Sequence, residues 1–534
     1  MSLCQPSLPP PSDAPAAVLH AAAPSATGGA ARRGAAPPQY LLVIDQGSSS
    51  SKCFIFDQDL YPIVRVEHPV RSSFPATGLV EHDPDELLDS VLDAVRAAVA
   101  QVGGAWEAVA AIGFAAQTET FVVWDKQTGA AAYPGVSWRD TRAEELCSHL
   151  QRRGLAREVR TRTGLPLQTA FTAPKLHVLL GAHPDLRAGI QRGDLLIGDV
   201  NSWLIWRMTS GRAHVTDASM ASRTMLYNLR ERCWDRSLTD LFAVPMAALP
   251  RVRPTLGHLA WTDPAVCHFK LPIMAAAGDQ QAGLFGQGCW SAGLAKLTLG
   301  TGAFLWLNAG RELPTSEGRG AVTSIAWAWP GEHAYALEGF VPNAGSAVSW
   351  LHDSGLFPRG RWPCIRPGAL RTPSSLRCVP TLFGLGTPHW EARRHAHLIG
   401  LTADTTPEDI GEAALLGIAQ QVADAVDALA GPGSGVLEAR VDGGLSANSS
   451  LLQAIADLTG ITLERSPHVD ATARGVAMMA GIALGWWTMD GLGSGSRADT
   501  IEPSPHLPGE ERQRARSQWR DLLVRTRHFG PQIS

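Results

Sequence analysis

The chain has 534 residues, of which 45% are hydrophobic and 18% are charged, so it is long enough for two large domains with separate cores. The formal net charge of −4 and the pI of about 6.5 argue against partners that need a basic surface, namely nucleic acid and anionic membrane. Eight scattered cysteines without a CxxC pair argue against a zinc site and a disulfide framework, and they predict a reduced, cytoplasmic protein. No apolar run is long enough to span a bilayer.

Residues 1–38 are rich in Ala, Pro, Gly and Ser and show no hydrophobic periodicity. This composition predicts a disordered N-terminal extension, and the absence of a basic stretch before an apolar one argues against a secretory signal. Arg32 and Arg33, with few acidic neighbours, leave a transit peptide open as an alternative.

The stretch Leu41–Asp57, LLVIDQGSSSSKCFIFD, predicts a strand, a Gly/Ser turn at Gly47–Ser51 and a returning strand from Cys53. Such a turn exposes several backbone N–H groups and hydroxyls, which suit a phosphate group. Asp45 at its edge suits a hydrated Mg²⁺. Taken alone, the same residues also fit an ordinary polar hairpin turn.

Strands and helices then alternate, which is typical of an α/β domain. Asp83-Pro84-Asp85-Glu86 predicts the start of a helix, because apolar residues follow at helical spacing. An apolar strand at Val109–Ala115 leads into Gln117–Thr120, and another at Leu271–Ala277 leads into Gly278-Asp279.

The second half repeats the opening pattern. Leu294–Leu307 has an apolar run, the turn Gly300-Thr301-Gly302 and a second apolar run, so two such turns can bind a polyphosphate from opposite sides. Thr406 is the predicted N-cap of a helix ending at Leu429, and a strand at Leu437–Val441 ends in a glycine pair. The basic stretch Glu510–Arg527 predicts a solvated terminal helix.

P-loop, Rossmann, hydrolase-elbow and zincin signatures are missing from the sequence. Another set of motifs is present in order, and it resembles the FGGY family of carbohydrate kinases, with the glycerol kinases as the most similar subgroup. These motifs are DQGSSSSK from Asp45, VEHDP from Val80, TGLPL from Thr163, HVTDASMASRTMLYN from His214, AGDQQAGLFGQ from Ala277, LGTGAF from Leu299, FGLGTPHW from Phe383 and VDGGLSAN from Val441.

The resemblance implies two actin-like (ribonuclease H-like) ATPase domains with a cleft between them. The expected division is a disordered extension at 1–38, an N-terminal domain for substrate and phosphate at 39–288, a nucleotide-binding C-terminal domain at 289–490 and a C-terminal tail or helix at 491–534. The implied activity is transfer of the γ-phosphoryl group of ATP to a hydroxyl of a small polyol or sugar, with Mg²⁺ as cofactor. The oligomeric state stays open, with a homo-oligomer as one option.

Carried over position by position, the resemblance also implies a role for each site residue. Asp279 would be the general base that takes the proton of the acceptor hydroxyl. The remaining roles are phosphate binding by Gly47, Ser48, Ser49, Ser50, Lys52, Thr301 and Gly302; nucleoside contact by Gly345, Ser349, Gly444 and Asn448; acceptor binding by Thr118, Glu119, Trp138, Ala170, Asp279, Gln280 and Phe304; and metal binding through water by Asp45. Without the other motifs, Asp279 would equally fit a helix N-cap, and Trp138 and Phe304 would fit core positions.

Two departures from the subgroup lie at acceptor positions. Thr118 stands where glycerol kinases usually carry an Arg, and Ala170 stands where they carry a Tyr; Ser349 and Met220 also differ, from Gln and Asn. Both acceptor changes remove polar atoms and open space, which favours an acceptor larger than glycerol, such as a longer polyol or a keto-sugar. Two other classes remain at this point: a nucleotide-binding relative without catalysis, and an actin-like chaperone-type ATPase.

Overall fold

The structure is a computed structural model, and it describes residues 39–314, 320–371, 375–430, 435–468, 470–492, 499–505, 507 and 509–527. The extension predicted for 1–38 lies outside these residues. No helix in the described part of the chain is both long enough and apolar enough to cross a bilayer.

The first half of the chain alternates strands and helices. Its strands are β1 (Tyr40–Gln46), β2 (Ser50–Phe56), β3 (Pro62–Pro69), β4 (Glu81–His82), β5 (Val109–Ala116), β6 (Phe121–Asp125), β7 (Ala131–Val136), β8 (Leu195–Asp199), β9 (Val215–Asp217), β10 (Tyr227–Asn228), β11 (Cys233–Trp234), β12 (Arg251–Arg253), β13 (Leu256–Trp261) and β14 (Pro272–Gly278). Its helices are α1 (Pro84–Val102), α2 (Glu144–Arg152), α3 (Ala156–Thr163), α4 (Thr172–Ala182), α5 (Pro184–Arg192), α6 (Val200–Met208), α7 (Ala218–Ala221), α8 (Arg236–Leu241), α9 (Pro264–Cys267) and α10 (Asp279–Gly286).

The second half is built in the same way. Its strands are β15 (Leu294–Leu299), β16 (Ala303–Gly310), β17 (Val322–Trp329), β18 (Glu332–Val341), β19 (Arg377–Val379), β20 (His397–Ile399), β21 (Glu438–Asp442), β22 (Thr462–Arg465) and β23 (Thr500–Ile501). Its helices are α11 (Gly345–Asp353), α12 (Pro407–Leu429), α13 (Ser449–Thr459), α14 (Ala471–Ala483) and α15 (Gly509–Thr526).

The large sheets of the two halves share a common topology of six strands, to which the second sheet adds the edge strand β17. The first has the strand order β13-β14-β5-β1-β2-β3, and the second has the order β17-β18-β16-β15-β21-β22-β23. In each, a hairpin opens the sheet and the first strand of that hairpin then pairs in parallel with a later strand, β1 with β5 and β15 with β21. The repeat confirms the predicted fold class of two actin-like α/β domains.

A third, four-stranded sheet of order β4-β7-β6-β8 belongs to the first half. Strand β6 begins two residues after Glu119, and β7 ends two residues before Trp138. Glu119 therefore lies in the connection between β5 of the large sheet and β6 of this smaller sheet, and Trp138 follows β7 of the smaller sheet.

The central strands and the longest helix form where the sequence predicts them. Leu41–Ile44 is fully buried in β1, which lies between two neighbouring strands as a continuous apolar run requires. Helix α12 is capped by Thr406, whose hydroxyl accepts from the Asp409 N–H at 3.2 Å while the Asp409 carboxylate accepts from the Thr406 N–H at 3.0 Å.

Helices α10 and α14 cross in close contact and join the two halves. A side chain at Gly475 would overlap the carbonyl oxygen of Ala282, and one at Gly286 would overlap that of Ala471, so the crossing requires glycine on both helices. Helix α14 belongs to the second half but packs on β1, β5 and β14 of the first sheet. One hydrophobic core is therefore shared by both halves.

The C-terminal helix differs from its prediction as a solvated element. Arg516, Trp519 and Leu523 of α15 are each less than 10% exposed; Arg516 donates to the Gln420 carbonyl of α12, and Trp519 and Leu523 pack with Val379 and Leu385. Arg516 and Trp519 both donate hydrogen bonds to the Asp424 carboxylate, at 2.6 and 2.7 Å. The buried face is narrow and is surrounded by basic residues, so the charge pattern of the segment predicts a solvated helix.

Candidate active site

The first glycine turn joins β1 to β2. The Gly47 N–H donates to the Ser50 carbonyl oxygen at 2.9 Å, which closes the turn over Ser48 and Ser49. Strand β2 begins at Ser50, so the turn is shorter than the sequence indicates, and Ser50 and Lys52 lie in the strand. Lys52 is directly opposite Asp45 in the hairpin register.

The second glycine turn joins β15 to β16 and is fastened to the start of α11. The Gly300 N–H donates to the Gly302 carbonyl at 2.9 Å, while the Gly345 N–H donates to Gly300 at 2.8 Å and the Ser346 N–H donates to Thr301 at 3.0 Å. A Cβ at Gly345 would come within 2.7 Å of the Gly300 carbonyl, which explains why glycine occupies this position. The fold therefore brings Thr301, Gly302 and Gly345 together.

The glycine pair after β21 lies beside the second turn. Strand β21 is parallel to β15, and Gly443, with φ of +89°, is so close to the Leu299 carbonyl that a side chain would approach it to 2.6 Å. This contact places Gly444 next to the start of the Gly300 turn. Ser349 is exposed on α11, one helical turn after Gly345.

The side chain of Asn448 is already engaged within the protein. Its Oδ1 accepts from the Leu451 N–H at 3.0 Å as the N-cap of α13, and its Nδ2 donates to the Pro363 carbonyl at 2.9 Å. The structure thus gives Asn448 a capping role, and a nucleoside contact by this residue remains a prediction.

Asp279 opens helix α10 at the end of strand β14, the second strand from the edge of the first large sheet. Its carboxylate accepts from the Gln280 N–H at 2.8 Å and from the Gln280 side-chain amide at 3.2 Å. Burial raises the pKa of Asp279 above its ordinary value, the negative charge of Glu119 raises it further, and Lys296 opposes the shift. The backbone carbonyl of Asp279 accepts from the Thr472 hydroxyl of α14 at 3.2 Å.

Asp45 interacts electrostatically with Asp279. Burial raises the pKa of Asp45 to about 7, Lys52 lowers it, and the charge of Asp279 raises it. The charge of Asp279 therefore raises the pKa of Asp45, and the charge of Glu119 raises the pKa of Asp279. The fold brings together the predicted metal-binding, catalytic and acceptor-binding carboxylates.

Glu119 is held in one orientation from both sides. Its backbone φ of +62° is uncommon for a residue with a side chain. The Thr118 hydroxyl donates to one carboxylate oxygen at 2.5 Å, and the Arg223 Nε donates to the other at 2.6 Å. The carboxylate thus points in a direction set by its neighbours before any acceptor arrives.

Arg223 was missed by the sequence reasoning, although it lies in the quoted HVTDASMASRTMLYN motif. Its guanidinium is buried between the rings of Phe171 and Trp306, at 5.4 and 5.3 Å from their centres, and forms an ion pair of 2.8 Å with Glu338. Because Glu338 lies on β18, Arg223 links Glu119 in the first half to the second half. The sequence signal for Arg223 is that a single positively charged residue stands among small and apolar neighbours in this motif.

Three other predicted acceptor residues have defined contacts within the protein. Trp138 is 37% exposed, and its backbone N–H donates to the Thr120 hydroxyl at 3.1 Å. Phe304 is half-buried on β16 and stacks against Phe340, with ring centres 4.8 Å apart. Gln280 accepts from the Lys296 ammonium group at 3.3 Å.

Ala170 directly precedes Phe171 and α4, and its carbonyl oxygen accepts a hydrogen bond from the buried Lys175 at 2.8 Å. Lys175 was also missed by the sequence reasoning. Its neighbours in sequence are apolar, so the pattern alone predicts an ordinary helix position.

A metal ion at Asp45 would depend on water and phosphate for most of its ligands. Among the described residues, no group of three or more His, Cys, Asp or Glu side chains is arranged to hold a metal. Asp45 is a half-buried carboxylate beside the first glycine turn, which fits a Mg²⁺ ion that keeps several waters and is bound mainly by substrate phosphates.

Two family models match consecutive parts of the chain. The N-terminal domain of the FGGY family of carbohydrate kinases matches residues 40–286, and the C-terminal domain of the same family matches residues 295–484. A glycerol kinase of Aromatoleum aromaticum is 39% identical over 486 residues, which are 90% of this chain and 98% of that protein. Glycerol kinase 2 of Thermotoga maritima is 37% identical over 487 residues, 90% of this chain and 97% of that protein.

Solved structures show the same fold. Plasmodium falciparum glycerol kinase with ADP superimposes with a TM-score of 0.85 at 28% identity, covering 92% of this chain and 98% of that chain. A gluconate kinase of Lactobacillus acidophilus has a TM-score of 0.83 at 18% identity, covering 93% of this chain and 100% of that chain, and shows the fold alone. The family implies that ATP is used and that the phosphoryl acceptor is a small polyol or sugar, so the protein is a carbohydrate or polyol kinase. The chain belongs to the FGGY family of carbohydrate kinases.

Proposed function

We propose that this enzyme transfers the γ-phosphoryl group of ATP to a terminal hydroxyl of glycerol. The observation that carries the proposal is the position of Asp279, which starts α10 and is electrostatically coupled to Asp45 on the phosphate side and to Glu119 on the acceptor side. The glycerol kinases that are 37–40% identical to this chain support glycerol as the acceptor.

In the proposed reaction the acceptor oxygen attacks the γ-phosphorus, the bond between that phosphorus and the bridging oxygen breaks, and ADP leaves. Asp279 accepts the proton of the attacking hydroxyl late in the step. Glu119 and Gln280 bind acceptor hydroxyls, while Trp138 and Phe304 contact the carbon chain. Because Glu119 is held by Thr118 and Arg223, it orients the acceptor without reorganising.

The two glycine turns would bind the phosphates from opposite sides. Gly47, Ser48, Ser49, Ser50 and Lys52 act from the first domain, which we assign to 39–288, and Thr301 and Gly302 act from the second, which we assign to 289–490. Gly345, Ser349, Gly444 and Asn448 lie on the nucleoside side. Mg²⁺, when bound, supplies positive charge that offsets the phosphates, and Asp45 would hold it through water. We assign this activity to the cytoplasm, because the described cysteines are free thiols.

A second candidate acceptor is a longer polyol or a keto-sugar. Thr118 and Ala170 favour it, because both are smaller than the Arg and Tyr that the resemblance leads one to expect. The Thr118 side chain is engaged with Glu119 and offers no free donor to a short acceptor.

The test is ADP release measured with glycerol, tetritols, pentitols, pentuloses and hexoses. The proposal predicts the highest kcat/KM for glycerol. A tetritol, pentitol or pentulose with a higher kcat/KM would overturn glycerol and establish the second candidate. A micromolar KM for glycerol without turnover of larger polyols would instead reject the enlarged acceptor site. The double variant Thr118→Arg/Ala170→Tyr is the matched comparison, and it lowers the KM for glycerol only if the missing groups limit binding.

A further inference from the structure

Lys175 is a buried cation with an unusual set of partners. Its side chain is 0% exposed on the first turn of α4. Its ammonium group donates to the carbonyl oxygens of Ser137 and Ala170 at 2.8 Å each and of Glu119 at 3.4 Å. Three acceptors around one nitrogen match the three N–H donors of an ammonium group.

These three carbonyls come from three separate segments, each of which carries a proposed acceptor residue. We name 117–120, 136–139 and 168–171 the acceptor segments; they contain Thr118 and Glu119, Trp138, and Ala170 respectively. The Thr172 hydroxyl, on the same helical turn as Lys175, donates to the Glu119 carbonyl at 3.1 Å. The first turn of α4 is therefore attached to the backbone of all three acceptor segments.

Removing the Lys175 ammonium group from water costs free energy, so we ask what its hydrogen bonds provide that an apolar side chain could not. Burial lowers the pKa of Lys175 to about 7, whereas the nearby Glu119, Asp140 and Cys147 raise it and Arg142 lowers it. A methionine would fill the same space without the desolvation penalty. What it could not supply are the three donors.

We propose that Lys175 is a positioning residue, whose ammonium group fixes the relative spacing of the three acceptor segments and thereby the affinity of the enzyme for its acceptor. Lys175 does not touch the acceptor; it acts through the backbone of Glu119, Ser137 and Ala170. The inference rests on the proposed function, because the acceptor segments take their name from it.

The test is steady-state kinetics of Lys175→Met with the acceptor that the wild-type enzyme phosphorylates best. We expect the acceptor KM to rise by about 10- to 100-fold, because a displacement of about 1 Å can cost about 100-fold, while the KM for ATP stays within about twofold. Lys175→Arg should also raise the acceptor KM, since a planar guanidinium cannot direct donors to three carbonyls from one atom. This second variant keeps the charge and serves if Lys175→Met does not fold.

Arg516→Met is the matched control, because Arg516 is also a buried cation with several acceptors, but it joins α15 to α12. It should lower the melting temperature and leave the acceptor KM unchanged. If a folded Lys175 variant keeps the wild-type acceptor KM, or raises the KM for ATP equally, the inference is overturned.

Hydrogen–deuterium exchange gives a readout that does not depend on turnover. In Lys175→Met the three acceptor segments should exchange faster together, and in Arg516→Met they should not. Faster exchange in only one of them would overturn the inference. If the wild-type enzyme phosphorylates no acceptor, the proposed function fails, whereas the exchange experiment still decides the role of Lys175.

Discussion

At the scale of single residues, Asp279, the proposed general base, has a pKa that burial and the charge of Glu119 raise. A general base must be ionised to accept a proton, so kcat should fall as the pH drops through the raised pKa of Asp279. Asp279→Asn should reduce kcat by about 10²- to 10⁴-fold and leave the Kd for ATP within about twofold. Rate measurements over a pH series and ATP titrations check both.

The control for this variant is Asp93→Asn, on the surface of α1, which should behave as the wild-type enzyme. Retention of more than a tenth of the wild-type kcat by Asp279→Asn would contradict a role as base.

Ionisation of the half-buried Asp45, the proposed metal-binding carboxylate, lowers the stability of the folded protein. Because its pKa is raised to about 7, the folded protein holds a proton between about pH 4 and 7 that the unfolded chain has already released. Stability is therefore lost as the pH rises through this window. Asp45→Asn removes this loss, so without nucleotide its melting temperature should exceed that of the wild-type protein more at pH 8 than at pH 5.

Thermal denaturation at the two pH values measures the effect, with Asp93→Asn as control. The variant should have little kinase activity, since Mg²⁺ loses its carboxylate. A larger gain at pH 5 than at pH 8 would contradict the assignment of the raised pKa.

At the scale of secondary structure, the sequence predicts what depends on local pattern. The hairpins at Gly47 and Gly300 are found because apolar runs of strand length end in Gly/Ser turns, and α12 is found because its cap is encoded in Thr406 and Asp409. Arg223 and Lys175 are not found, because their partners are 38 to 115 residues away or are backbone carbonyls of other loops. The resemblance located Glu119 and Asp279; only the fold shows what holds them.

The crossing of α10 and α14 carries a prediction of its own. Gly475→Ala places a methyl group against the Ala282 carbonyl, so it should lower the free energy of unfolding by about 1–3 kcal/mol or more. Gly104→Ala is the control, since a Cβ there has no atom within 4 Å. Denaturant unfolding of both variants is the measurement, and equal stabilities would show that the crossing tolerates a side chain.

At the scale of the whole molecule, the two halves are joined at more than one place. The core shared through α14 and the ion pair of Arg223 with Glu338 both connect the first half to the second. Thr472 of α14 also donates to the backbone of Asp279, so residues of both halves hold the proposed catalytic base. Any relative motion of the two domains therefore acts on Asp279 directly.

The four-stranded sheet has a consequence for how this enzyme could diversify. Its strands lie next to Glu119 and Trp138 in the chain, whereas the proposed phosphate-binding turns belong to hairpins of the two large sheets. Part of the proposed acceptor selectivity is thus held by a module that is separate from the proposed phosphate-binding turns. A laboratory that wishes to retarget the enzyme to a new alcohol should randomise the smaller module and leave α10 untouched.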